Sequence, residues 1–176
     1  MTMQLIKTVT VGAIGASLIE LTDIPQTFTD LQLNLSLRTN SALTYSSALM
    51  RINGSILNSS YRFLQGQGAA VFNSANTLGP FIGDAALSTS TANTFSNITV
   101  LIPNAFSSNP KVYSADSVNE NNATAALAEI IVGVWNNSSP ITSISIYDLD
   151  SFVYSQFSSV SLYGIRKGSD AIVTVS

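Results

Sequence analysis

The chain alternates apolar and polar residues most regularly in LQLNLSLR, residues 31–38. The leucines of this segment occupy every second position, so an extended chain would place all of them on one face and the polar side chains on the other. A helix would distribute the same leucines around its axis. The alternation therefore predicts a β-strand with one face in a core and one face towards solvent.

Further apolar segments are separated by clusters of Asn, Gly, Ser and Pro, and the pattern predicts about ten short strands. Besides residues 31–38 they are Leu5–Val11, Ser17–Thr22, Ala48–Asn53, Tyr61–Leu64, Ile98–Ile102, Lys111–Val118, Ala126–Trp135, Ile141–Tyr147, Val160–Arg166 and Ala171–Val175. Many short strands without intervening helices are typical of an antiparallel β-sandwich or barrel. We therefore predict an all-β fold and a single domain over residues 1–176.

The segment NATAALAEIIVGVW, residues 122–135, fits two structures. Its apolar residues also match helical spacing, and Ser117 with Glu120 could form a capping box. Asn121 and Asn122, however, suit a tight hairpin turn, and the segment ends in β-branched and aromatic residues. We favour a β-hairpin and keep the helix as the alternative.

Residues Gln65–Asn93 differ in kind from the rest of the chain, because they combine several glycines with a proline and many small side chains. Such a length exceeds that of a tight connection, and long loops are usually functional or ordered by a partner. We predict one long loop here. The alternative is an additional weak strand around Val71 and Phe72.

The composition limits the kinds of catalytic and binding site that the chain can form. Only 10% of the residues are charged, 45% are hydrophobic, and the chain contains neither His nor Cys. It therefore lacks the usual general base near neutral pH, the commonest transition-metal ligand and any thiolate. A net charge of −3 gives no basic surface for nucleic acid, and no apolar run reaches the length of a membrane span. We expect no cofactor, no metal, no nucleic acid and no membrane partner.

Asp148 and Asp150 are the best candidates for an acidic site. On a strand they would share one face and could bind Ca²⁺ or act as an acid and base pair. We favour a structural role, in which they cap a turn after Tyr147. Asp116 and Glu120 are expected to be solvated.

Arg51 and Arg62 stand inside predicted strands, where a buried guanidinium would need an acidic partner. We predict structural ion pairs, with partners among Glu20, Asp23 and Asp30. The lysines Lys7, Lys111 and Lys167 lie in no recognisable nucleophile motif.

The aromatic residues leave two interpretations open. Carbohydrate could stack on exposed rings, but aromatic side chains in strands belong more often to a core or to a subunit interface. The residues concerned are Trp135, Tyr45, Tyr61, Tyr113, Tyr147, Tyr154 and Tyr163.

Several blocks, in order along nearly the whole chain, resemble small virion proteins of tailed bacteriophages. They are TFTDLQLNLS with Thr27, Phe28, Asp30 and Leu31; RINGS with Arg51, Asn53 and Gly54; Ile102–Asn104; SVNENNATAA; Val134–Trp135; and PITSISI followed by SLYGI. The chain departs from that pattern because it continues past Ile165 with RKGSDAIVTVS.

The resemblance implies a jelly-roll-like β-sandwich, commonly a trimer, made in the host cytoplasm and displayed on the phage particle. It implies a capsid decoration, or cement, protein that binds the major capsid protein; the alternative is a tail or fibre domain that binds host glycan. It supplies no catalytic residues, so we expect no enzyme. Residues 1–11 and 167–176 are candidates to reach neighbouring subunits, and the predicted assembly contacts are Phe72, Leu78, Phe81 and Ile82.

Overall fold

The computed structural model describes residues 2–121 and 125–166, which form twelve β-strands. These are β1 (Thr2–Thr10), β2 (Leu18–Leu21), β3 (Asp30–Leu37), β4 (Ser47–Ile52), β5 (Ser59–Gln67), β6 (Ala70–Asn76), β7 (Phe81–Asp84), β8 (Ser96–Ile102), β9 (Lys111–Asn121), β10 (Ala125–Trp135), β11 (Ile144–Asp148) and β12 (Ser159–Arg166). The large sheet has the order β1-β12-β3-β8-β9-β10-β5-β6, and the small sheet has the order β2-β11-β4-β7. All strand neighbours in both sheets are antiparallel.

The alternation along β3 sets the arrangement of the core. Its leucines all point inwards and are at most 2% exposed, while the residues between them are only partly covered. β3 lies between β12 and β8, whose inward side chains Leu162 and Val100 stand opposite Leu33. Ile146 and Leu49 of the small sheet belong to the same buried cluster, so the two sheets share one core.

The hairpin predicted for residues 111–135 is confirmed. β9 and β10 run antiparallel in continuous register from Lys111 opposite Trp135 to Asn121 opposite Ala125. The turn itself, residues 122–124, lies outside the described residues. Each of these strands has eleven residues and they are central in the large sheet, so their outward faces form the middle of its outer surface.

The long loop predicted between Gln65 and Asn93 is wrong, and its alternative, a strand around Val71 and Phe72, is correct. β5 continues to Gln67, and the chain returns as β6 after the two turn residues Gly68 and Ala69. Gly68 has φ +57°, a conformation that glycine adopts without strain and that two-residue hairpins require. A further strand, β7, follows and joins the small sheet.

The predicted all-β antiparallel sandwich is confirmed, whereas the jelly-roll arrangement stays a prediction. The N-terminal segment is not a free arm, because β1 pairs with β12 of the same chain. The predicted strand Ala171–Val175 and the tail 167–176 lie outside the described residues. No helix among the described residues is long and apolar enough to cross a membrane.

Candidate functional site

Strand β10 is apolar on both of its faces. Leu127, Ile131 and Trp135 point inwards and are buried, while Ile130 and Val132 point outwards and are 61% and 54% exposed. A strand at a solvated sheet face normally carries polar side chains on its outer side. Burial in the core accounts for the inward aliphatic residues of β10, but it does not account for the outward ones.

Neighbouring strands continue this exposed aliphatic surface. Val112 of β9 stands opposite Val134, and Leu64 of β5 stands opposite Ile130. Each side chain in the set is between 37% and 61% exposed. The set, here termed the outer apolar face, comprises Leu64, Leu101, Val112, Val118, Ile130, Val132 and Val134.

The outer apolar face contains a groove. An open groove of about 740 Å³ crosses it, with Leu101, Val112, Val132 and Val134 in its lining and Arg62 on the β5 side. Contiguous exposed aliphatic surface with polar residues at its margin is typical of a protein contact site. Two aromatic residues, Tyr61 and Tyr113, also line the groove, but Tyr113 is 3% exposed and Tyr61 is only partly exposed.

Close packing beneath the outer face holds β9 and β10 in place. The ring of Tyr113 crosses Gly133, its partner in the register, and a Cβ atom at residue 133 would overlap the ring. The Tyr113 hydroxyl donates a hydrogen bond of 2.9 Å to the backbone carbonyl of Phe81 in β7. Gly133 therefore permits a direct link between the two sheets.

Two of the four predicted assembly contacts stay accessible. Phe72 is 46% exposed in β6, and Leu78, just after it, is 50% exposed. The prediction is wrong for Phe81 and Ile82, which are buried in the core at 5% and 0% exposure. They are buried because they form part of β7, and the Phe81 ring packs against Tyr61 with centroids 5.3 Å apart.

Within residues 2–121 and 125–166, the expected ion pairs of Arg51 and Arg62 do not form. Arg62 is exposed on the outer face, where water solvates its charge. Arg51 lies over the ring of Tyr147, with its Cζ atom 4.5 Å from the ring centroid. Asp30 is buried at the start of β3, in the other sheet from Arg51, and accepts a hydrogen bond of 2.8 Å from the backbone N–H of Asn104.

The structural interpretation of Asp148 is confirmed. Its Oδ1 atom accepts hydrogen bonds from the backbone N–H groups of Asp150 and Phe152 at 3.0 and 3.1 Å, which caps the turn after β11. Its Oδ2 atom accepts a bond of 2.7 Å from Ser46. Asp150 itself is exposed.

The other two acidic residues differ from each other. Asp116 is exposed on β9, as expected. Glu120 was expected to be solvated, but its Oε1 atom accepts hydrogen bonds from the Thr91 backbone and the Thr94 hydroxyl. It therefore orders the loop before β8.

The aromatic residues mostly belong to the core. Trp135, Tyr113 and Tyr154 are at most 3% exposed, so none of them can stack on a carbohydrate. Tyr45 is 39% exposed.

Lys111 is buried, and none of the acidic side chains that the structure describes pairs with it. Its ammonium group donates hydrogen bonds to the backbone carbonyls of Ser107, Asn137 and Ser139 at 2.7, 3.3 and 2.7 Å, and it lies 5.7 Å from the centroid of Trp135. Burial lowers the pKa of Lys111. Its carbonyl contacts give Lys111 a structural role at the end of β9.

Asp84 and Glu129 form a buried acidic pair between the two sheets, and sequence reasoning missed it. Each side chain is 3% exposed. Glu129 Oε2 accepts a hydrogen bond of 2.9 Å from the backbone N–H of Asp84, and Gln65 donates to Glu129 Oε1 at 2.9 Å and to Asp84 Oδ2 at 3.5 Å. Ser47 donates to Asp84 Oδ1 at 3.0 Å.

The surroundings of the pair favour the neutral form of both carboxyl groups. Burial raises the pKa of Asp84 from 3.8 to about 7, and the nearby charge of Glu129 adds to the increase. Burial also raises the pKa of Glu129. Within the described residues, no group of three acidic side chains comes close enough to hold a metal ion. Because the pair is enclosed by the core, it has no face on which a substrate could bind.

No family model, curated protein or solved structure matches the chain. The expected relationship to phage virion proteins therefore stays a prediction.

Proposed function

We propose that the protein is a structural component of a bacteriophage virion, a decoration or cement protein that binds the outside of the capsid shell. Its principal contact surface is the outer apolar face. The observation that carries this proposal is the aliphatic surface of β10 and its neighbours, which the described residues leave exposed in the interior of the large sheet. The phage assignment comes from the sequence blocks that resemble virion proteins.

Hydrophobic burial supplies the binding free energy in this proposal. Complete burial of a Val or Ile side chain contributes about 1.5–3 kcal/mol relative to full exposure, and the side chains concerned are about half exposed. Covering Ile130, Val132 and Val134 would then contribute about 3 kcal/mol in total, or about a hundredfold in affinity. The remaining members of the face would add to this value.

The distribution of polar groups supports a function based on contact over one based on catalysis. The acidic pair Asp84 and Glu129 is buried in the core, and Asp148 accepts hydrogen bonds from the backbone of the turn that it caps. The outer apolar face carries few charges, Arg62 and Asp116 among them, so little charge must be desolvated when a partner covers it.

Stabilisation of the shell follows from mass action. A protein that binds only the assembled lattice transfers its binding free energy to that lattice, which then resists internal DNA pressure. We propose a trimer around local threefold positions, with the major capsid protein as partner and the virion surface as location. The tail or glycan-binding alternative has less support, because Trp135 and the groove residue Tyr113 are buried and the groove residue Tyr61 is only partly exposed.

Removal of apolar contact from the outer face is expected to weaken shell binding at least tenfold. The variant is Ile130→Thr, Val132→Thr, Val134→Thr, which keeps β-branched side chains in β10 and replaces apolar methyl or ethyl groups with hydroxyls. Cosedimentation with shells of the phage that encodes the chain, stripped of this protein, gives the affinity.

The matched control is Ile14→Thr, Leu43→Thr, Leu149→Thr, which changes as many exposed aliphatic residues outside the outer face. We expect this control to bind like the wild type. Equal binding by the β10 variant, or no binding by the wild type, would contradict the proposal.

A further inference from the structure

Strand β6 is an unprotected sheet edge. Among the described strands it pairs only with β5, it is seven residues long, and every residue from Ala70 to Ala75 is exposed. Val71 and Phe72 are 74% and 46% exposed. The sequence AVFNSAN contains no proline and no charged residue. Proteins that avoid edge pairing place such residues on their edge strands, or shorten or cover the edge.

The other edges of this protein are protected in these ways. β1, at the opposite end of the large sheet, carries Lys7 and an irregularity in register between Leu5 and Lys7. The edge strands of the small sheet, β2 and β7, have only four residues each. All four residues of β7 are buried. The contrast identifies β6 as the edge open to pairing among the described strands.

We propose that β6 pairs with β6 of a second copy of the chain, antiparallel about a two-fold axis through Asn73. Asn73 is the middle residue of β6, so this register engages all seven residues. It places Asn73 opposite its own copy, Phe72 opposite Ser74 of the second copy, and Val71 opposite Ala75 of the second copy. The two large sheets then form one continuous sheet.

Charge indicates a second copy as the occupant. In a two-fold antiparallel pair, each residue faces a residue from the same short sequence, so any charge near the axis approaches its own copy. β6 has none. The equivalent contact through β1 would bring two copies of Lys7 towards each other. β6 therefore combines exposed apolar residues with the charge pattern that self-pairing needs.

This contact does not depend on the proposed virion function. It uses the edge of the sheet and leaves the outer apolar face open, so shell binding and β6 pairing can fail separately. In a trimer, each subunit would still carry one β6 edge for a partner in another trimer.

An engineered disulfide tests the register directly. The chain contains no cysteine, so Asn73→Cys introduces a single thiol. Residues directly opposite in an antiparallel pair have Cα atoms about 4.5–5.5 Å apart, within the range that a disulfide spans. We expect most of the purified Asn73→Cys protein to become a covalent dimer under mild oxidation. The control Asn109→Cys, in the exposed loop before β9, should stay monomeric on a non-reducing gel.

A charged substitution in β6 tests whether the β6 contact sets the affinity of self-association. Asn73→Lys would place two ammonium groups opposite each other and should weaken pairwise self-association at least tenfold in sedimentation equilibrium, while Asn109→Lys should not. Self-association that persists in Asn73→Lys but disappears in a chain ending at Arg166 would overturn the proposal and assign the edge to residues 167–176. Equal cross-linking of both cysteine variants, or absence of pairing in the wild type at micromolar concentration, would also overturn it.

Discussion

We expect the free energy of unfolding to fall by about 4 kcal/mol as the pH rises from about 4 to about 8. The cause is Asp84, whose pKa in the folded protein is raised by burial from 3.8 to about 7. A carboxyl group with a raised pKa is neutral in the folded protein at low pH, and its contribution to stability is complete below its unfolded pKa. That contribution is lost as the pH rises through the folded pKa, because the core must then hold a charge.

Urea unfolding at several pH values measures this fall in the free energy of unfolding. The variant Asp84→Asn tests whether Asp84 causes it. The amide keeps the shape of the carboxyl group but cannot ionise, so we expect the variant to be more stable than the wild type at pH about 8 and to depend much less on pH. Glu129 keeps a pH dependence of its own in the same direction, since burial raises its pKa as well.

Asp116→Asn is the matched control, because Asp116 is exposed on β9. It should reproduce the pH dependence of the wild type. A wild-type stability that stays constant between pH about 4 and 8, or an Asp84→Asn curve parallel to it, would show that the buried pair does not control stability.

Gly133→Ala is expected to destabilise the fold by about 3 kcal/mol. The new Cβ atom would overlap atoms Cε1 and Cζ of the Tyr113 ring. That ring cannot move freely, since it is 3% exposed and its hydroxyl is hydrogen-bonded to the Phe81 carbonyl. The substitution would therefore disturb the hydrogen bond between Tyr113 and Phe81 that links the two sheets.

A double-mutant cycle separates this overlap from any general effect of alanine in β10. In a Tyr113→Ala background, Gly133→Ala should cost little or should stabilise, because the ring is gone and alanine has less conformational freedom to lose on folding than glycine. Gly66→Ala is the control, since its Cβ atom would meet only the Ala128 carbonyl at 4.0 Å. The same loss of stability with and without the Tyr113 ring would refute the overlap.

The sequence is sufficient to predict the strands whose two faces differ in polarity. Residues 31–38 could be predicted because their alternation is a local property of the chain. The β9–β10 hairpin could be predicted although β10 is apolar on both faces, because its turn residues and its β-branched residues are also local signals. Of the strands between Gln65 and Asn93, the sequence indicates β6 only as the alternative to a loop and does not indicate β7, because β6 is exposed on both faces and β7 is covered on both. Neither strand shows an alternation between apolar and polar residues.

The candidate surfaces were harder to predict, because they depend on which strands become neighbours. The outer apolar face joins Leu64 of β5 to residues of the consecutive strands β8, β9 and β10, and β6 and β7 separate β5 from these strands in the sequence. The outward aliphatic residues of β10 are the part of this face that the sequence indicates. The sequence also indicates that Glu129 is unusual, because it occupies an inward position in an apolar strand. Its partner Asp84 comes from the other sheet, and only tertiary structure brings the two together.

Heating or osmotic shock of phage particles assembled with and without this protein tests the central claim most directly. We expect particles that lack the protein to release their DNA at a lower temperature and after a milder shock. Particles refilled with the wild type should recover, whereas particles offered the β10 threonine variant should not. Equal survival of particles with and without the protein would contradict a role in holding the shell together.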